Sequence, residues 1–151
     1  MTRIAAGLGR LASRGQSEPD RRWFCVTAEG LEVGEPWVID YTPTLSRGGT
    51  VWAMRFQARP LDVAELLRVD VQVAVVSSTP VNLAQLNGAE KVVEFGTVAN
   101  FRVWRSYGEN VDEVWNMRRT IAGANQRIAI GIGSNMQGGA DIRASVCYSE
   151  G

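Results

Sequence analysis

Apolar and polar residues alternate with a period of two along much of the chain, the spacing of strands with one face buried. In the stretch from Val51 to Ala58, the residues Trp52, Met54, Phe56 and Ala58 fall on one side and Arg55 and Gln57 on the other. From Val69 to Val76 the valines Val69, Val71, Val73 and Val75 share a face, opposite Asp70 and Gln72. From Gln126 to Ile132, Ile128, Ile130 and Ile132 oppose Arg127, Ala129 and Gly131. From Ile142 to Tyr148, Ile142, Ala144, Val146 and Tyr148 line up in the same way. Less regular patterns predict further strands over Trp23–Ala28, Trp37–Thr42, Val92–Phe95, Val98–Arg105 and Val114–Ile121.

Turn residues separate these runs at Gly48-Gly49, Asn87-Gly88, Tyr107-Gly108, Gly123-Ala124-Asn125 and Gly138-Gly139. Two helical interruptions are expected. Pro60 opens a two-turn helix carrying Leu61, Val63, Leu66 and Leu67, and Thr79-Pro80 caps a second that ends at Asn87-Gly88. About eight short strands, with no βαβ alternation and no internal repeat, predict an all-β fold, an antiparallel β-sandwich or barrel. Val71, Val73, Ile128, Ile130, Ile142 and Val146 are its expected inward residues.

The first residues break this pattern. Ile4, Leu8 and Leu11 recur at helical spacing with Arg3, Arg10 and Arg14 around them, but Gly7 and Gly9 each weaken such a helix by about 1 kcal/mol. The linker-like GQSEPD at 15–20 then divides an N-terminal arm, 1–20, from a domain at 21–151. The chain is neutral overall, but Arg3, Arg10, Arg14, Arg21 and Arg22 against Glu18 and Asp20 give residues 1–22 a net charge of +3, leaving −3 on the rest. The arm has too little apolar surface to order itself, so it is expected to be needed for assembly and not for folding.

The 151 residues contain no histidine, which removes the commonest general base and every Ser-His or Cys-His nucleophile system. Cys25 and Cys147 form no Cys-x-x-Cys motif and are read as free thiols, with a disulfide between the terminal strands as the alternative. Gly7-Leu8-Gly9 and Gly131-Ile132-Gly133 do not extend to a dinucleotide fingerprint. Paired carboxylates remain, Asp62 with Glu65 and Glu109 with Asp112 and Glu113, in segments read as solvated surface. No enzyme activity, cofactor or metal is expected. No apolar run is long enough for a helical membrane span.

Five tryptophans are many for this length. Trp52 is assigned to the core through its expected face. Trp104 shares a face with Arg102, and with Trp115 these residues suit an interface.

The C-terminal string VWNMRRTIAGANQRIAIGIGSNMQGGADIRASVCYSEG gives a strand, a short turn, an isoleucine-rich strand, a glycine-rich loop and a last strand. Together with the basic arm, this order resembles the single jelly-roll coat proteins of small satellite viruses and, equally, bacteriophage capsid-decorating proteins. The resemblance implies a virion structural protein, assembled in the host cytoplasm. Its partners would be copies of itself or another capsid protein, and its assembly arm would comprise Arg3, Ile4, Leu8, Arg10, Leu11 and Arg14. Five arginines interrupted by Glu18, Pro19 and Asp20 make a sparser arm than those that package RNA, so protein docking is favoured over nucleic acid. The alternative is a carbohydrate-binding β-sandwich with Trp37, Trp104 or Trp115 stacked on sugar rings.

Overall fold

The alternating runs become strands that pair far more with distant segments than with their neighbours in sequence. The structure, a computed structural model, describes residues 20–87, 90–95 and 110–151. Its strands are β1 (Arg22–Leu31), β2 (Val38–Tyr41), β3 (Gly49–Pro60), β4 (Val69–Val76), β5 (Glu90–Phe95), β6 (Val111–Ile121), β7 (Arg127–Ser134) and β8 (Ala140–Glu150). They form two four-stranded antiparallel sheets, one ordered β1-β8-β3-β6 and the other β2-β7-β4-β5. Among these pairs only β4 and β5 follow one another in sequence. The remaining connections cross between sheets, giving the two Greek keys of a jelly roll. The fold is therefore the antiparallel β-sandwich that the sequence predicts. The expected strand at Val98–Arg105 lies outside the described residues.

Inward residues of the two sheets make the main core. Val71, Val73, Ile128, Ile130, Ile142 and Val146 are all buried there as expected, with Phe56, Val69, Ile132 and Ala144. Full burial of each large aliphatic side chain contributes about 1.5–3 kcal/mol before chain entropy is counted, so this layer is the principal source of stability.

The second sheet is covered on its other face too. Along β7 the isoleucines point inward while Ala129, Gly131 and Gly133 point out, and Trp37 and Leu86 lie directly against that strip. A β-carbon at Gly133 would stand 2.3 Å from Trp37 Cε2, and one at Gly131 would stand 2.5 Å from Leu86 Cδ2. Ala74, Val76, Leu86 and Ala129 form this second apolar layer, with Ile39 and Tyr41 against it. All of β4 is consequently buried, including Asp70 and Gln72, whose alternation suggested an open face. Asn135 Nδ2 donates to Asp70 Oδ2 at 3.2 Å, and Gln72 Nε2 donates to Asn87 Oδ1 at 3.5 Å.

Three further expectations need correction. The helix expected after Pro60 is a turn: Asp62 Oδ1 accepts from Ala64 N–H at 2.9 Å and Asp62 O accepts from Glu65 N–H at 3.0 Å. Glu65 is drawn away to the β7–β8 loop, where its carboxylate accepts from Gln137 N–H and Gly138 N–H at 2.6 and 2.9 Å. Of the expected apolar stripe, Leu67 is buried while Leu61 and Val63 are exposed. The second helix is only α1 (Leu83–Asn87), and its cap is Asn82 rather than Thr79. Asn82 Oδ1 accepts from Gln85 N–H at 2.9 Å while Gln85 Oε1 reaches back to Val81 N–H at 2.8 Å, a reciprocal arrangement close to a capping box.

The third correction is Trp52. The register of β3 against β8 shifts between Val51 and Ala53, which inserts Trp52 as a bulge. The bulge reverses the alternation, so Val51 joins the core with Met54, Phe56 and Ala58, and Trp52 leaves it.

The close seat of Trp37 on β7 gives a direct test. Gly133→Ala should cost about 1–3 kcal/mol in urea unfolding, the usual range for forcing extra volume into a packed layer. In a Trp37→Ala background the same substitution should cost clearly less, because the obstructing ring is gone. Equal costs in both backgrounds would show that the ring is not what the glycine accommodates.

Candidate assembly surface

The outer face of the β1-β8-β3-β6 sheet carries most of the polar chemistry that the described residues hold on regular structure. Strand register aligns its side chains in rows: Thr27, Arg143, Gln57 and Asp112; then Cys25, Ser145, Arg55 and Val114; then Trp23, Cys147, Ala53 and Asn116. Arg55 clasps Asp112 bidentately, Nε to Oδ1 at 2.9 Å and Nη2 to Oδ2 at 2.7 Å. Arg59 pairs with Asp141, whose Oδ1 also accepts from Gly30 N–H at 2.9 Å. Arg59, Asp112 and Asp141 line an open groove of about 430 Å³ with Thr27, Gln57 and Arg143. The ion pairs are exposed and screened, so they orient side chains more than they stabilise the fold.

Hydrogen bonds hold three carboxylates below their ordinary pKa: Asp112 through Arg55, Asp141 through Arg59 and then Gly30 N–H, and Glu150 through the Ser46 hydroxyl and N–H. The Arg55 guanidinium is pushed up by its hydrogen bond to Asp112. Burial raises the Cys147 thiol, partly offset by the charge of Arg21. Both cysteines are free thiols. Cys25 Sγ accepts from Arg143 Nε at 2.8 Å.

At the far end of the same face Trp52 lies between two arginines. The Arg21 guanidinium is 3.9 Å from its ring centroid and that of Arg118 is 5.2 Å away, while Nε1 donates to Ser149 Oγ at 2.8 Å. Arg21 immediately precedes β1, so residues 20 and 21 bring the chain to the sandwich at this ring. Sequence reading missed the contact because the stacked residues are far apart in the chain and a bulge, which leaves no compositional mark, turned the ring outward.

Of the residues singled out from sequence, Arg3, Ile4, Leu8, Arg10, Leu11, Arg14, Arg102 and Trp104 lie outside the described residues. Trp115 stands on the edge strand β6, half-buried and packed against the main core. Trp37 is half-buried on the glycines of β7. Asp62 and Glu65 are tied into loop hydrogen bonds, and Asp112 is neutralised by Arg55; Glu109 lies outside the described residues. Among the described residues no group of three or more His, Cys, Asp or Glu side chains is placed to hold a metal ion. No helix among them is long and apolar enough to cross a membrane.

No family model and no curated protein sequence matches the chain. Among solved structures it is similar to a chain of the cyanophage Pam1 capsid asymmetric unit, with 14% identity over 100% of both chains and a TM-score of 0.45. It is also similar to the K3 adhesin domain of Lys-gingipain from Porphyromonas gingivalis, with 15% identity over 83% of this chain and 74% of that one and a TM-score of 0.43. A third similarity is to infectious bursal disease virus, Gx strain, with 10% identity over 95% of this chain and 36% of that one and a TM-score of 0.47.

Two predictions follow from the geometry of this face. Because the folded pKa values of Asp112, Asp141 and Glu150 lie below their unfolded ones, their stabilising contribution is complete above the unfolded values and is lost as pH falls through the folded ones. Thermal midpoints should therefore hold steady down to about pH 5 and decline below about pH 4, and Asp141→Asn with Glu150→Gln should flatten that decline. An unaltered acid slope in the double variant would assign the loss to other groups. Thiol titration with a chromogenic disulfide should resolve one fast and one slow cysteine, since Cys25 is half-buried and Cys147 is buried with a raised pKa. Cys25→Ser should remove the fast phase, and a surviving fast phase would reverse the assignment.

Proposed function

We propose that this chain is a virion structural protein, a capsid coat or capsid-decorating subunit, that assembles with copies of itself through its β-sandwich and its N-terminal arm. The observation that carries the reading is the jelly-roll strand order, β1-β8-β3-β6 over β2-β7-β4-β5, in a chain without a histidine. Viral capsid domains are among the principal users of that architecture, alongside lectins and cupins. Because a fold hosts many functions, the chemistry of the site has to agree with it. Cupin-type metal chemistry depends on histidine ligands that this sequence lacks. Of the tryptophans that a sugar-binding reading singles out, Trp37 is seated on the glycines of β7 and Trp115 is half-buried against the main core, while Trp104 lies outside the described residues.

The arm, residues 1–20, is the second part of the proposal. Its apolar residues Ile4, Leu8 and Leu11 and its three arginines Arg3, Arg10 and Arg14 dock on protein in preference to nucleic acid, and residues 21–151 fold without it. Removing residues 1–20 should leave the melting temperature within the range of a neutral surface change while abolishing assembly. The full chain, followed by sedimentation velocity and electron microscopy, should form large closed particles. A full chain that stays monomeric at high concentration across salt and pH, or a truncated chain that assembles normally, would overturn the proposal.

A further inference from the structure

Among the described residues, charge is divided along the long axis of the sandwich. At the end where β1 leads to β2, the connecting segments 29–37, 59–68 and 135–141 carry Glu29, Glu32, Glu35, Asp62, Glu65 and Asp141 against Arg59 and Arg68, a net of −4 from six acids and two bases. Backbone bonds fasten these three segments together: Val33 N–H to Met136 O at 2.9 Å, Leu61 N–H to Gly139 O at 3.1 Å and Asn135 N–H to Arg68 O at 3.0 Å. Both arginines are already engaged, Arg59 by Asp141 and Arg68 by Glu65 at 3.8 Å. Glu29, Glu32 and Glu35 are exposed and form no ion pair among the described residues. Three exposed apolar side chains stand among them, Val33, Leu61 and Val63, at 42%, 48% and 73% exposure.

The opposite end reverses the sign. Segments 20–22, 42–50, 118–127 and 148–151 carry Arg21, Arg22, Arg47, Arg118, Arg119 and Arg127 against Asp20 and Glu150, a net of +4 from six bases and two acids. The arm joins the sandwich at this basic end, where Arg21 stacks on Trp52. The ten residues of β1 separate the two ends by about 33 Å at the usual strand rise.

We propose that the acidic end is the docking site for residues 1–19 of a second copy, so that subunits join head to tail. The inference rests on the assembly reading above and names the surface that receives the arm. Arg3, Arg10 and Arg14 meet Glu29, Glu32 and Glu35, and Ile4, Leu8 and Leu11 cover Val33, Leu61 and Val63. The occupant's three cations and three aliphatic side chains match the receiving surface in kind, acids with exposed aliphatic side chains among them. The opposed poles also make any other packing of like ends repulsive. An arm of nineteen residues reaches about 65 Å when extended, ample to cross from one copy to the next. Such a contact uses two different surfaces and is heterologous, the kind that closes into rings when the rotation permits.

Charge exchange in the full chain tests this. Glu29→Arg with Glu32→Arg and Glu35→Arg should reduce the assembled fraction in sedimentation velocity on the order of tenfold, as should Arg3→Glu with Arg10→Glu and Arg14→Glu. Carrying both sets in one chain should restore assembly, a rescue that a folding defect would not produce. A photo-crosslinking residue replacing Leu8 should, in mixtures of isotopically distinct copies, label 29–37 or 59–68 of the other copy. Failure of rescue, or crosslinks confined to the same copy, to the basic end or to nucleic acid, overturns the head-to-tail inference while leaving the assembly role intact if the unaltered chain still assembles. An unaltered chain that never assembles overturns both.

Discussion

The pairing of β8 with both β1 and β3 is the constraint on which the molecule depends. Its residues 140–150 lie between the two strands: Val146 stands opposite Phe24 on one side and Met54 on the other. Without β8, β1 has no hydrogen-bonded neighbour and β3 keeps only β6. The main core would then lose Ala140, Ile142, Ala144, Val146 and Tyr148 together with the face that β1 supplies. Pairings between segments so remote in sequence require loop closure before contact energy is gained, which makes folding of such sandwiches intrinsically slow.

Most of the architecture was legible because one inward face is written into a sequence as period-two alternation. The isoleucines of β7 and the valines of β4 sit where their spacing places them. What was not legible came from contacts between elements. Asp70 and Gln72 read as solvent-facing because they are polar, yet the layer supplied by Trp37, α1 and Asn135 closes over that side. The apolar stripe after Pro60 suggested a helix because periodicity cannot foresee that Glu65 will be recruited by the loop between β7 and β8. Trp52 was assigned to the wrong face because the alternation on either side of it is correct and only the extra residue at position 52 breaks the phase.

The candidate surface was less legible than the fold, for a physical reason. Its features arise from juxtaposition: Arg21 on Trp52, Arg55 on Asp112, and acidic segments brought to one end by three separate connections. Charge runs along the sequence revealed only the basic arm. The division of the described residues into oppositely charged ends needed the strand directions, because each strand carries the chain from one end to the other.

The glycine strip of β7 has a bearing on orientation. By admitting Trp37 and Leu86, Gly131 and Gly133 let the protein finish the outer surface of one sheet with its own apolar cover, while the outer surface of the other sheet is left with ion pairs and a groove. The sandwich is therefore two-sided, as a roof tile is. Were such units laid into a continuous wall, as the proposed role requires, and all the same way up, the wall would present unlike chemistry to its interior and its exterior, and a copy laid upside down would meet its neighbours with the wrong face.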